Sequence, residues 1–481
     1  MLIVTTRDSG KGNATKARLK RHLSKHPRTR SYLPLDLPRV IFRLENLELT
    51  SLVSVKQLSQ RLLCSAIPRL DAIILNASVL GVVGLNWPLT FWTIATDLIQ
   101  SLTWPTYKIG ARGLLTGQQT YSSQTSHRID GANADGEQEE SVLGQVFCAN
   151  VFGHYMLTHW LMPLLRACPE SAPARIVWVS SLVGDASAFK KDDFQGLEST
   201  HAYEHTKRIT DLMALTATGQ PTTAQHVANF VAVEDGKRGS PLEYNSTTSS
   251  SQSPATFPLH RRSCPSTPSI HVIQPGVCAT SIFSVPFIVQ TLMTFAFYIA
   301  RWLGSPWFNV NPYFGATAPV WLALGLDQPA DHDDSAVAGD SAAKQRDNQH
   351  SDIRSIKWGS AIDRWGQESV KPTDTPGWGT RGDGQPVKWW HTGSDWLSGG
   401  RGRKRLGRIA QSKSTDRAKS AAEGKNNQQL KEVEIRDPRD PTLEEVHAFI
   451  QEGAFVWSQL EALRKEWQGR IERYVAAAKD L

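Results

Sequence analysis

The sequence predicts an α/β fold built on a parallel β-sheet, and three observations predict it. Short runs rich in β-branched residues recur along the first two thirds of the chain, and segments with helical apolar periodicity separate them. One run, "LDAIILNAS", is almost continuously apolar, as a parallel strand covered on both faces requires. Strands alternating with helices at this rhythm imply βαβ units with right-handed crossovers.

Taken in order, "MLIVTTR" reads as a strand and "GNATKARLKRHLSKH" as a basic helix with Asn13 as its cap. "RVIFRLENLEL" is a second strand with its exit, and "LTSLVSVKQLSQRLLCSAI" the helix that follows. After the buried strand "LDAIILNAS" comes a long amphipathic segment, "LGQVFCANVFGHYMLTHWLMPLLRA". The strand "ARIVWVSS" leads to a helix opening near Thr200, and "SIHVIQPG" is a further strand. From Thr442, "LEEVHAFIQEGAFVWSQLEALRKEWQGRIERYV" is one long helix with a capping box in "PTLEE".

Three stretches interrupt the rhythm. Residues 124–140 are polar and acidic, and residues 234–269 are rich in Ser, Thr and Pro, so both read as flexible insertions into a main domain over 1–330. Residues 331–441 are polar and Gly-rich and read as mostly disordered. They nevertheless hold Trp358, Trp365, Trp378, Trp389, Trp390 and Trp396, so the part at 354–398 is expected to pack on the main domain, with the helix of 442–481 after it.

Net charge is +7, but the basic residues scatter apart from "RGRKRLGR" at Arg401 to Arg408, which reads as a solvated linker. No nucleic-acid partner is expected from that pattern. Cys64, Cys148, Cys168, Cys264 and Cys278 lack metal-ligand spacing, so reduced packing residues and no metal are expected. The opening residues lack an apolar core with a small-residue cleavage site, so no secretory signal is read.

The chemistry concentrates in "STHAYEHTKRITDLMAL", where Tyr203 precedes Lys207 by four residues at the head of an apolar-periodic run. That spacing puts both side chains on one helix face, where an ammonium would bring a phenol's pKa of about 10 down toward neutrality. Alone it fits an ordinary helix start as well. With 9 Tyr and 53 Lys or Arg in 481 residues, about one such spacing is expected by chance. Hydride transfer without a metal needs a proton donor, a hydrogen-bond donor to the carbonyl and a cation beside the acid, and Tyr203, Ser181 and Lys207 can supply them. Ser181 ends a strand, at the sheet edge where open α/β folds bind ligands. Asn150 is a polar residue in an apolar helix, which requires partners, and a capping or kinking amide is its plain reading.

The ordered set "LNAS", "ANVFGHY", "VSS", "YEHTK" and "QPGVCATSI" resembles the short-chain dehydrogenase/reductase family. Within that family, "FCANVFGHYMLTHWLMPLL", "DDFQGLESTHAYEHTKRITDLMALT" and "KWGSAIDRWG" resemble the fungal branch acting on 3-keto sterols. The resemblance implies a Rossmann-type doubly wound parallel sheet, with NADPH as cofactor and a sterol ketone, after C4 demethylation, as substrate. It makes Tyr203 the proton donor and Lys207 the group that lowers its pKa and binds the nicotinamide ribose. Ser181 would orient the carbonyl, and Asn150 would hold a relay water. Asn76 and Ala77 match a turn beside the cofactor, with Ser78 where the family has Gly. Pro275, Gly276 and Thr280 would reach the nicotinamide carboxamide, and Arg7, past the first strand, would fork onto a 2′-phosphate.

The family also opens with a strand and a G-x-x-x-G-x-G turn that grips the pyrophosphate. "LIVTTR" corresponds to its second strand, so the fold is expected to be incomplete at the N-terminus, with "SGKGN" (Ser9 to Asn13) as the nearest substitute. A catalytically impaired homologue with a scaffolding role, and a reductase of another steroid or lipid ketone, are the alternative functions. Thr280 to Gly304 is apolar over about 20 residues and interrupted by Pro286. It reads as a substrate lid that dips into a membrane surface, with a spanning or a core helix as alternatives. Expected partners are thus a membrane surface or lipid droplet and the other sterol C4-demethylation enzymes. The expected location is the endoplasmic reticulum or lipid droplets, peripheral or monotopic, with the site facing the cytosol.

Overall fold

The structure, a computed structural model, describes residues 1–25, 40–119, 141–233, 266–280, 287–327, 355–380 and 441–477. The insertions, apart from residues 266–269 of the second, lie outside the described residues. So do the basic run at Arg401 to Arg408 and the tryptophans Trp389, Trp390 and Trp396.

The elements run β1 (Leu2–Thr6), α1 (Ser9–Lys25), β2 (Phe42–Asn46), α2 (Leu52–Leu63), β3 (Ala72–Leu75), β4 (Val82–Leu85), α3 (Trp87–Thr96), α4 (Leu98–Thr103) and β5 (Lys108–Gly110). They continue through α5 (Gly153–Trp160), β6 (Arg175–Val179), α6 (Ala202–Leu215), α7 (Pro221–Val231), β7 (Ser269–Gln274) and α8 (Phe287–Trp302). The last are α9 (Thr317–Ala323), β8 (Lys357–Ile362), β9 (Glu368–Pro372) and α10 (Leu443–Ala477). The expected α/β class is observed. A five-stranded sheet has the order β3-β6-β7-β8-β9, parallel except for β9, and β1 and β2 pair in parallel as a separate two-stranded sheet.

Two sequence expectations are corrected. The run "LDAIILNAS" is not buried on both faces, and Ile74 is 40% exposed, because β3 pairs only with β6 and is an edge strand among the described residues. The basic helix starts before Asn13: the Asp8 carboxylate accepts from the Lys11 N–H at 3.0 Å and caps α1 there.

The Trp-bearing segment supplies β8 and β9. Trp378 is buried against Phe449 of α10, with ring centroids 5.1 Å apart. The capping box of α10 forms, with Thr442 N–H on Glu445 Oε2 at 2.7 Å and Glu445 N–H on Thr442 Oγ1 at 3.2 Å. Its inner face buries Val456, Trp457, Leu460, Trp467 and Ile471 in the same core as α2, α5, α6 and β6. At its centre, Arg464 forks onto Glu461, Glu461 accepts from the Tyr155 hydroxyl at 2.6 Å, and Arg464 reaches His159 at 3.1 Å. This buried network fixes where α10 sits on α5.

Candidate active site

β6, β7 and β8 run parallel to β3, so their carboxyl ends share one edge of the sheet. Ser181 follows β6 at that edge, and α6 begins beside it. Tyr203 follows Ser181 by 22 positions, and the segment between them is tied down locally. Asp193 accepts from the N–H groups of Leu197 and Glu198 at 2.7 and 2.9 Å. The His205 ring nitrogens reach the carbonyls of Ala188 and Phe194 at 3.0 and 2.9 Å. β5 then abuts the loop so closely that a Cβ on Gly110 would lie 1.9 Å from the Thr200 carbonyl oxygen. Only glycine fits there, and the contact sets the start of α6.

The structure brings Ser181, Tyr203 and Lys207 together. The Ser181 hydroxyl lies near enough to the Tyr203 phenol to favour its ionised form. Lys207 is buried, its Nζ lies 5.4 Å from the centre of the Tyr203 ring, and it donates to the Val179 carbonyl at 2.8 Å. A second ammonium, Lys108 of β5, lies 5.5 Å from the same ring and pairs with Glu204.

The titration of the phenol departs from the sequence expectation. Burial pushes Tyr203 up to about 12, against the downward pull of the Ser181 hydroxyl, while Glu204 adds to the rise. Burial pushes Lys207 down to about 8, with Asp211 raising it and Lys357 lowering it further. Desolvation is the largest influence on both groups. At neutral pH the site holds a neutral phenol beside a cation, the pairing a proton donor requires.

Asn150 lies within a π turn, Cys148–Phe152, that interrupts the long amphipathic segment ahead of α5. Its amide accepts from Val79 N–H at 2.7 Å and donates to Val79 O at 2.9 Å and to Thr206 Oγ1 at 3.0 Å. The side chain thus bolts the loop after β3 to the helix that carries Tyr203. Behind it, buried His154 meets the Ala77 carbonyl through Nε2 at 2.8 Å. A carbonyl partner requires the proton on Nε2, and burial holds the ring neutral by lowering its pKa to about 4.

The candidate cofactor residues divide into two groups. Asn76 and Ala77 follow β3, and Pro275, Gly276 and Thr280 follow β7, on the same edge as Ser181. The Pro275 carbonyl is held by Asn309 Nδ2 at 2.6 Å, and Gly276 takes a φ of +71°. Arg7, by contrast, follows β1 of the separate two-stranded sheet. It is exposed and stands 3.8 Å from Glu48. A dinucleotide's nicotinamide end fits these residues: Ser181, Tyr203 and Lys207 face one another, and the Ser78 hydroxyl beside Ala77 is buried without a partner. The Ser9 to Asn13 segment does not fit a pyrophosphate. Asp8 caps that helix start, and backbone N–H groups hold its carboxyl below the usual range, so a phosphate there would meet an anion.

Sequence reading missed His154, Lys108, Asp211, Asn309 and Lys357. Two of them carried a local signal: His154, a histidine in an apolar helix four residues after Asn150, and Asp211, a carboxylate four residues after Lys207.

A serine, tyrosine and lysine converging at the carboxyl edge of a parallel sheet, braced by an asparagine on the preceding helix, define a protein of the short-chain dehydrogenase/reductase class. The comparisons narrow this. A curated 3-keto-steroid reductase of Aspergillus fumigatus is 36% identical over 99% of this chain and 88% of its own length. One of Gibberella zeae is 32% identical over 84% of this chain and 68% of its own length. The chain belongs to the fungal 3-keto-steroid reductase family. A scan against protein-family models finds no match. Among solved structures, the Pseudomonas aeruginosa RhlG/NADP active-site complex aligns at 14% identity and a TM-score of 0.32, covering 67% of this chain and 77% of that one, which adds nothing to the assignment.

Proposed function

We propose that the protein reduces the 3-keto group of C4-demethylated sterol intermediates to the 3β-alcohol, with NADPH as reductant. The observation that supports this most is the Lys207 ammonium 5.4 Å from the Tyr203 ring, with Ser181 at the same edge of the sheet, in a chain that belongs to the 3-keto-steroid reductase family. NADPH, when bound, supplies the hydride to the carbonyl carbon.

The residues of this chain do the rest. Ser181 donates to the ketone oxygen and orients it. Tyr203 donates its phenolic proton to that oxygen as negative charge develops there, so the alcohol forms without a free alkoxide. Lys207 stabilises the phenolate left behind. Asn150 keeps α6 and the loop after β3 in register, and Arg7 is the residue available to pair with a 2′-phosphate.

The substrate is a membrane lipid, and a lipid-facing surface accords with that. Phe297 and Ala300 of α8 pack against Leu102 of α4, while Phe287, Ile288, Leu292, Phe295 and Trp302 of α8 stay exposed. Phe91 and Trp92 on neighbouring α3 are each 69% exposed. Among the described residues no helix is long and apolar enough to cross a membrane, so α8 supports an in-plane attachment. We place the protein on the endoplasmic reticulum or lipid droplets, with the site toward cytosolic NADPH.

Product analysis tests the catalytic part. Tyr203→Phe should lower 3β-alcohol formation from a 3-keto sterol to below a hundredth of the unaltered protein's rate, with NADPH binding nearly intact, because it removes only the transferable proton. Retention of more than a tenth of the rate would remove Tyr203 from the role. A preference for a different steroid or lipid ketone would replace the substrate and keep the mechanism.

A further inference from the structure

Two buried charges behind the candidate catalytic set take no part in the steps above. Lys357 opens β8, and its Nζ donates to the Ser181 carbonyl at 2.6 Å and to Asp211 Oδ2 at 2.7 Å. The side chains of Lys357 and Asp211 are 3% and 0% exposed. Asp211 lies one turn beyond Lys207 on α6, and its Oδ1 is buried without a hydrogen-bond partner. The loop after Ser181 closes over the pair, and a Cβ on Gly184 would stand 2.5 Å from Asp211 Oδ2.

The helix alone favours a different pairing. Residues four apart on α6 are neighbours, so Asp211 is the natural counter-ion of Lys207. Lys357 takes that carboxylate instead, and the Lys207 ammonium turns to the Val179 carbonyl and the Tyr203 ring. The cluster then holds two cations and one anion out of water. Such an excess is costly unless a further negative charge can form beside it. The groups that face Lys207 are Tyr203 and Asp211 on its own helix, Lys357 from β8 and His154 from α5, and Tyr203 is the acid among them.

We propose that Lys357 and Asp211 are positioning residues of the active site: Lys357 anchors the Ser181 turn and occupies Asp211, which leaves the Lys207 ammonium directed at Tyr203. This rests on reading Ser181, Tyr203 and Lys207 as the catalytic set. The opposing effects of Asp211 and Lys357 on the Lys207 amine agree with it.

The test is an NMR titration of the Lys207 amine in protein carrying ¹³Cε-lysine, with the resonance assigned by its loss in Lys207→Met. Lys357→Met removes a neighbouring cation and should raise the Lys207 pKa by about half a unit or more, and Asp211→Asn should lower it by a similar amount. The double variant should return close to the original value. In kinetics, Lys357→Met should lower kcat about tenfold with the sterol KM within threefold, and Lys357→Arg should recover part of the loss. Should Lys357→Met not fold, Asp211→Asn carries the titration alone: a lowered Lys207 pKa is expected, and an unchanged one would overturn the proposal. A Lys207 pKa indifferent to both single variants, or shifted the same way by both, would overturn the proposal. Full activity of Tyr203→Phe would instead overturn the catalytic reading, while the Lys207 titration would still report on the pair.

Discussion

At the scale of single residues, burial decides the charge states around the site. His154 is neutral because burial opposes its imidazolium, and its Nε2–H donates to the Ala77 carbonyl. A histidine at about 4 in the folded protein and about 6.5 unfolded binds its proton more readily in the unfolded state. Its contribution is therefore complete above pH 6.5 and is lost as pH falls toward 4, by about 3 kcal/mol in all. Urea unfolding between pH 7 and pH 4.5 should show this loss, and His154→Gln should flatten that part of the profile. An unchanged slope in the variant would mean that other groups carry it. Ser181, Tyr203 and Lys207 were legible in the sequence because a strand end and an i, i+4 helix pair are local patterns. Lys357 was not, since its partners Asp211 and Ser181 lie 146 and 176 residues away and only strand pairing brings them together.

Among the elements, α10 shows how a C-terminal helix becomes part of a reductase core. Its capping box and apolar stripe were readable from "PTLEE" and the periodicity, but its docking face was not. That face is set by Glu461 and Arg464, a buried pair bonded to Tyr155 and His159 of α5. Arg464→Met leaves Glu461 buried without its cation and should cost about 3–5 kcal/mol, whereas Glu461→Leu with Arg464→Met should cost far less. Chemical denaturation of the two variants gives the comparison. Equal losses would indicate that packing, and not charge, holds the helix. β3 teaches a different lesson: its composition suits a strand covered on both faces, yet pairing is a property of neighbours, and with β6 alone beside it among the described residues Ile74 remains open to solvent.

For the whole molecule, the α/β class followed from alternating periodicities, and the described residues carry it in a five-stranded sheet and two separate strand pairs. β8 and β9 escaped sequence reading because they sit in a Gly-rich, polar segment whose tryptophans signal packing but not strand geometry. Exposed aromatics stand on α3 and α8, two helices that border the same small apolar cluster. Vesicle flotation should recover the protein with liposomes containing ergosterol, and Phe91→Ser, Trp92→Ser, Phe295→Ser together should leave most of it in the aqueous fraction. Equal flotation of both would place the attachment elsewhere.

The most direct evidence on the central claim is isotopic. The protein, in detergent or on vesicles, is incubated with a 3-keto sterol and NADPH deuterated at the nicotinamide C4, and the sterol product is analysed by mass spectrometry. Ketone reduction at Ser181, Tyr203 and Lys207 predicts a 3β-alcohol carrying one deuterium at C3 from the unaltered protein and almost none from Tyr203→Phe. Absence of deuterated alcohol from the unaltered protein, or equal amounts from both proteins, would contradict the claim.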